Sequence, residues 1–233
     1  MKVLGIETST HFCGVAILDE TRLIGEYRVV LKLKHAERLL PLIDMLLKES
    51  ETRLSDLSAI AVSIGPGSFT GLRAGVATAK GLAIGSHLPL IAISTLEAMA
   101  AVFSHCELTI VSVIPSRKDE VYWAAFSASE GIIARMTSDA CDLVEIMLEK
   151  LSLHRRILFT GEGAILFRDQ IAKKMKGSAI FPEISLQAPF ASLVAERGRL
   201  QWMRGTSAAG GEQTLADEII PVYLHEMKPK TVK

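Results

Sequence analysis

The hydrophobic positions of the chain fall into two periods that replace one another along its length. Alternating and continuous apolar runs predict strands at Val3–Ile6, Gly14–Leu18 and Leu23–Val30, with turn-prone Asp19-Glu20-Thr21 between the second and third. A helical period follows over Ala36–Glu49, where Ala36, Leu39, Leu40, Ile43, Leu46 and Leu47 form one stripe. Pro41 lies far enough inside to predict a late start or a bend. A strand at Ala59–Ile64, a helix at Gly71–Gly85, a strand at Leu90–Ile93 and a helix after Ser94 come next. Ser94 with Glu97 three residues later predicts an N-cap and its capping-box partner.

The second half repeats the order. Strands are predicted at Leu108–Ile114, Glu120–Phe126 and Ile132–Thr137. A helix at Leu143–Leu151, a strand at Arg156–Thr160, a helix at Ala164–Lys174, a short strand near Ala179–Phe181 and a last helix at Phe190–Met203 follow. Residues 205–217 read as a loop and Ile219–Leu224 as a closing extended segment. Each half is therefore β-β-β-α-β-α-β-α. That order implies α/β architecture, with two mixed sheets carrying helices and a cleft between them. The expected units are residues 1–104, 105–218 and a closing segment and tail at 219–233.

Composition narrows the partners. Lys plus Arg balances Asp plus Glu at 26 each, so the chain lacks the basic excess of a protein that grips nucleic acid unaided. Only the tail, with Lys228, Lys230 and Lys233, is locally basic. Cys13, Cys106 and Cys141 have no paired spacing, which reads as reduced thiols in a cytoplasmic protein. No stretch is long and apolar enough to predict a membrane span.

Six glycines punctuate Ala61–Gly85, and the loop Gly65-Pro-Gly-Ser-Phe-Thr70 lies between a strand and a helix. A helix N-terminus there could take an anion. The loop matches neither GxxxxGK[ST] nor GxGxxG, and Gly-Pro-Gly also makes a rigid turn without a ligand. Along the helix, Leu72, Val76, Ala79 and Ala83 form a large-residue stripe, while Ala74, Thr78, Gly81 and Gly85 form a small-residue one. Arg73 and Lys80 share a narrow side with Ala77 and Ile84. Two apolar stripes predict either burial within the domain or packing against both a sheet and a partner helix. In the preceding helix, Leu42 and Met45 stand outside the core stripe beside Arg38, as at an interface rim. The candidate partner face is thus Arg38, Leu42, Met45, Arg73, Ala74, Ala77, Thr78 and Gly81.

Two polar turns are candidate nucleotide contacts. Thr8, Ser9 and Thr10 follow the first strand, and Gly161 and Gly163 flank Glu162 between a strand and a helix. His35 has Leu39 where a second helical metal ligand would stand, and the six histidines do not cluster in sequence. No catalytic or metal residue is assigned.

At these same residues the sequence resembles the TsaB (YeaZ) family. The resemblance rests on Val3-Leu-Gly-Ile-Glu-Thr-Ser-Thr10, His35-Ala-Glu-Arg-Leu39, Gly65-Pro-Gly-Ser-Phe-Thr-Gly-Leu-Arg73 and Pro221-Val-Tyr-Leu224. It implies duplicated domains of the actin, Hsp70 and sugar-kinase (ASKHA) type. It also implies a role in making threonylcarbamoyladenosine beside the tRNA anticodon, as the non-catalytic partner of a TsaD-type protein that carries the metal and transfers the threonylcarbamoyl group. A TsaE-type ATPase joins that pair, tRNA is reached only through the complex, and self-association as a homodimer is open. TsaD-type proteins carry a His-x-x-x-His pair on this helix, and here Leu39 replaces the second histidine. Actin-like ATPases have an Asp-x-Gly-Thr turn, and here the turn reads Glu7-Thr-Ser-Thr10. The expectation is no cofactor bound by this chain alone, with ATP or ADP possible at a subunit junction. The alternative is a stand-alone metallopeptidase-like hydrolase or an ATP-dependent enzyme of the same fold.

Overall fold

The computed structural model describes residues 1–31, 34–151, 156–207 and 218–224. Of the predicted loop over 205–217, residues 205–207 instead continue the last predicted helix, and the remainder, like the tail lysines, lies outside the described residues.

The first sheet has the order β3-β2-β1-β4-β5, built from β1 (Val3–Glu7), β2 (Phe12–Leu18), β3 (Leu23–Val30), β4 (Ala59–Gly65) and β5 (Leu90–Ser94). β1, β2 and β3 form antiparallel hairpins, and β4 and β5 add in parallel beside β1. The second sheet runs β11-β10-β6-β7-β8, from β6 (Thr109–Pro115), β7 (Glu120–Ser129), β8 (Ile132–Arg135), β10 (Ile157–Thr160) and β11 (Ala179–Ile180). Its pairing senses repeat those of the first sheet. A further strand, β9 (Ala140–Leu143), pairs with the first part of β7 while β8 pairs with the last part. One long strand thus receives two short neighbours. The predicted third strand stops at Arg135 because the chain bulges there. The Thr137 hydroxyl, rather than a ladder carbonyl, takes the Ala125 N–H at 2.9 Å.

Helices α1 (His35–Glu49) and α2 (Phe69–Ser86) cover one face of the first sheet, with Leu39, Ile43, Leu46, Leu72, Val76 and Ala79 in the core they close. α4 (Val144–Lys150), α5 (Glu162–Leu166) and α6 (Arg168–Met175) cover one face of the second. The helix predicted over Ala164–Lys174 is in fact two helices, broken at Phe167. α1 runs unbroken through Pro41, whose missing N–H falls on the exposed side of the helix. Its buried line is His35, Leu39, Ile43 and Leu46, so Ala36 and Leu40 are exposed instead of joining the core stripe, and Leu47 is only partly buried. Leu42 leans onto the core.

The remaining two helices lie between the sheets, each on the sheet of the other half. α3 (Thr95–Ala101) leaves β5 and packs on β6, β7 and β8. α7 (Ala191–Ser207) leaves the second half and packs on β1, β2, β4 and β5. Arg197 of α7 donates to Glu97 Oε1 of α3 through both Nε (2.9 Å) and Nη2 (2.6 Å). That pairing consumes the predicted capping box. Ser94 Oγ still accepts from the Glu97 N–H at 3.4 Å, but the Glu97 carboxylate turns to arginine. Glu26 of β3 accepts from the N–H and hydroxyl of Ser192 at the start of α7. Among the described residues no helix is long and apolar enough to cross a membrane.

β1 ends on Glu7, which is wholly buried. Burial raises its carboxyl above the ordinary 4.5, against the lowering pull of hydrogen bonds from the Ser9 hydroxyl and N–H. Oε2 has no partner among the described residues. The folded chain therefore holds this proton to higher pH than the unfolded chain. The stability contributed by the neutral group is complete below the unfolded value and is lost as pH rises. Glu7→Gln keeps the acceptor for Ser9 and removes the charge. Its urea midpoint should exceed the parent's at pH 8 and converge with it as pH falls below about 4.5. A lower midpoint at pH 8 would show that the ionised form is the stabilised one.

The glycines of α2 divide into two kinds. A methyl group on Gly75 would overlap the Thr8 hydroxyl, whereas nothing lies within 4 Å of one on Gly81. Gly75→Ala should destabilise by about 1–3 kcal/mol through overpacking, and Gly81→Ala should stabilise by about 0.5–1 kcal/mol through helix propensity. Denaturation of the two variants side by side checks both signs.

Candidate functional site

The turns that end β1 and β6 face each other across a cleft of about 760 Å³. One wall carries Ser9, Thr10 and His11 with the Gly67–Thr70 entrance to α2. The other carries Ile114–Arg117 after β6, Tyr122 and Glu162. Val222 and Tyr223 of the closing segment line it as well.

The first wall is a closed hydrogen-bonded unit. Thr8 Oγ1 donates to the Gly71 carbonyl at 2.9 Å, and the Ser68 N–H donates to the Ser9 carbonyl at 2.6 Å. Thr10 Oγ1 accepts from the Phe12 N–H at 3.2 Å. Ser68 caps α2, accepting from the Gly71 N–H at 3.3 Å, so the helix begins at Phe69, two residues before the predicted Gly71. Added methyl groups on Gly67 and Gly71 would overlap the Ser9 and Thr8 carbonyl oxygens. These glycines therefore serve the turn after β1, bringing the start of α2 directly onto it. Gly65, in a cis peptide bond to Pro66, opens the same passage.

The second half repeats the device. Gly161, at φ +102°, and Gly163 are both buried, and a methyl group on either would collide with Val113 of β6. They bring α5 onto the end of β6. Neither lines the cleft, but Glu162 between them does. Its Oε1 stands 2.7 Å from His11 Nδ1, close enough for an ion pair although out of line for a hydrogen bond. His11 and Glu162 thus meet across the opening.

His35 is buried, with Nε2 3.1 Å from the Phe12 carbonyl. A carbonyl can only accept, so Nε2 carries the proton and is engaged. Among the described residues no group of three or more His, Cys, Asp or Glu is placed to hold a metal. Cys13 is fully buried, and burial, followed by the nearby Glu7 charge, pushes its thiol up to about 11.

A second feature lies on the outer side of α1 and α2. Leu40, Met45 and Ile84 are each about half exposed, and Arg38, Arg73, Ala77 and Gly81 share the surface of this helix pair. Ala74 and Thr78 are partly buried. The closing segment reaches the near end of α2. The Val222 N–H donates to the Ile64 carbonyl at 2.7 Å, the Tyr223 ring centroid is 5.0 Å from that of Phe69, and Arg73 Nε donates to the Tyr223 hydroxyl at 3.3 Å. Sequence reasoning set Leu40 in the core stripe, and it passed over His11, Glu162 and Tyr223 as site residues because they come together only in the fold.

Residues 29–200 match the profile of the family described as TsaD: tRNA N6-adenosine threonylcarbamoyltransferase. The tRNA threonylcarbamoyladenosine biosynthesis protein TsaB of Bacillus subtilis is 35% identical over 73% of this chain and 75% of its own. A crystal structure from Pseudomonas aeruginosa, of a protein similar to peptidase YeaZ, is 30% identical, superposes with a TM-score of 0.81 and covers 96% of this chain and 99% of that one. The ROK hexokinase of Thermus thermophilus, at 12% identity and a TM-score of 0.50 over 84% of this chain and 98% of that one, shares the fold alone. Duplicated sheets of the sugar-kinase type, the Gly65–Arg73 passage and these relatives agree, and the chain belongs to the TsaB family of tRNA threonylcarbamoyladenosine biosynthesis proteins.

Proposed function

We propose that this protein acts in tRNA threonylcarbamoyladenosine biosynthesis as a docking partner of a TsaD-type protein, and that α1 and α2 form the docking face. The carrying observation is the composition of that face. Met45 of α1 and Ile84 of α2 remain about half exposed, Ala77, Gly81 and Gly85 of α2 are exposed as well, and nothing lies within 4 Å of a methyl group on either glycine. Exposed apolar side chains beside such small residues suit close approach of another pair of helices, and Arg38 and Arg73 supply a polar rim. α1 and α2 pack on each other, so the face is presented by a rigid pair.

The residues of the cleft support the same reading. The Ser9 hydroxyl donates to Glu7, the Thr10 hydroxyl accepts from the Phe12 N–H and the His35 ring donates to the Phe12 carbonyl, while Thr8, behind the cleft, donates to Gly71. Catalysis would then reside in the partner, with ATP or ADP, a TsaE-type ATPase and tRNA engaged through the assembled complex. Self-association through the same face is the competing use of the surface in the isolated protein.

Light scattering on the purified protein, alone and mixed with the TsaD-type protein of its organism, tests the reading. A species at the summed mass is expected. Ala77→Arg should abolish that species while leaving the circular dichroism spectrum and melting temperature of the isolated protein unchanged, because Ala77 is exposed. Undiminished complex formation by the variant would exclude this face.

A further inference from the structure

The closing segment separates the cleft from the docking face, and its contacts are more specific than covering a surface requires. Ile219 anchors it in the core of the first sheet, 3% exposed. The Val222 N–H is bonded to Ile64 at the end of β4, and the Val222 carbonyl lies where it would press on any side chain at Gly65. Val222 and Tyr223 line the cleft from one side. On the other side Tyr223 packs on Phe69 and accepts the Nε–H of Arg73, whose guanidinium stacks over the same Phe69 ring at 4.0 Å. Arg73 is therefore held at two points, and it takes part in no ion pair among the described residues. α2 carries Arg73 and Lys80 and no acidic residue.

Resting on the docking role above, we propose that Tyr223 is a positioning residue of the interface. It fixes Arg73 against Phe69 so that the remaining guanidinium N–H groups are presented to a carboxylate on the TsaD-type partner. An unrestrained arginine on an exposed helix would have to be ordered when the partner docks, which weakens binding. Arginine presents several donors in one plane, so binding Nε to a tyrosine leaves its outer edge free for a carboxylate.

The test is a double-mutant cycle on affinity for the TsaD-type protein, with Ala77→Arg as the control for the face. Tyr223→Phe keeps the ring on Phe69 and removes the acceptor. It should weaken the complex about two- to tenfold, the scale of ordering one long side chain, without changing the melting temperature. Arg73→Met should weaken it further, and the loss should shrink as salt is raised. In the Arg73→Met background, Tyr223→Phe should cost nothing more. Equal losses in the two backgrounds, or no loss from Tyr223→Phe, would overturn the proposal. If Ala77→Arg abolishes binding while Tyr223→Phe leaves it unchanged, the docking face stands and the role of Tyr223 falls. If Ala77→Arg binds normally and Tyr223→Phe does not, the docking face falls and the closing segment itself is the contact.

Discussion

The fold depends on how closely α7 can approach the first sheet. A methyl group on Gly5 of β1 would overlap the Ala191 carbonyl and Ala195, and one on Gly198 would press into Ala61 of β4. Small residues therefore stand on both sides of this contact, and they let a helix lie against the sheet at backbone distance. Because α7 covers the face that α1 and α2 leave open, β1 is buried along its whole length and β4 along nearly all of it. That is why these strands read as continuous apolar runs rather than alternating ones. The polar contacts from Glu97 to Arg197 and from Glu26 to Ser192 then fix the helix in register.

Most of the elements were legible because each has a strong period of its own. The duplication was legible too, since the order of elements repeats even though the residues do not. What the periodicity could not reveal was partnership. Nothing in Thr95–Ala101 or Ala191–Ser207 says that each covers the other half's sheet, because an amphipathic stripe records burial and not the identity of what buries it. β9 escaped because Ala140-Cys-Asp-Leu143 is only four residues long and runs into the helix predicted from Leu143, and it forms a strand only because β7 is long enough to accept a second neighbour.

The site was legible in its location and less so in its logic. The glycines at 65–75 mark the place where α2 meets the turn after β1. The same residues suggest a phosphate loop, because both uses need a backbone free of side chains. The collisions that reveal the packing use involve Thr8 and Ser9, some sixty residues away in sequence. Gly81 and Gly85 look the same in the sequence yet face open space, so one helix uses the same residue type for internal contact in its first half and for surface in its second.

The exchange of α3 and α7 also has a consequence for synthesis. When β5 leaves the ribosome the first sheet is complete in strands, but its inner face is bare until α7 emerges roughly a hundred residues later. At ~5–20 residues per second that is an interval of about 5–20 s. During this time Val3, Ala59, Ala61, Ile91 and Ile93 have no cover from α7. The nascent first half thus presents an apolar sheet face to solvent for this interval, and α7 completes the core that the first strand began.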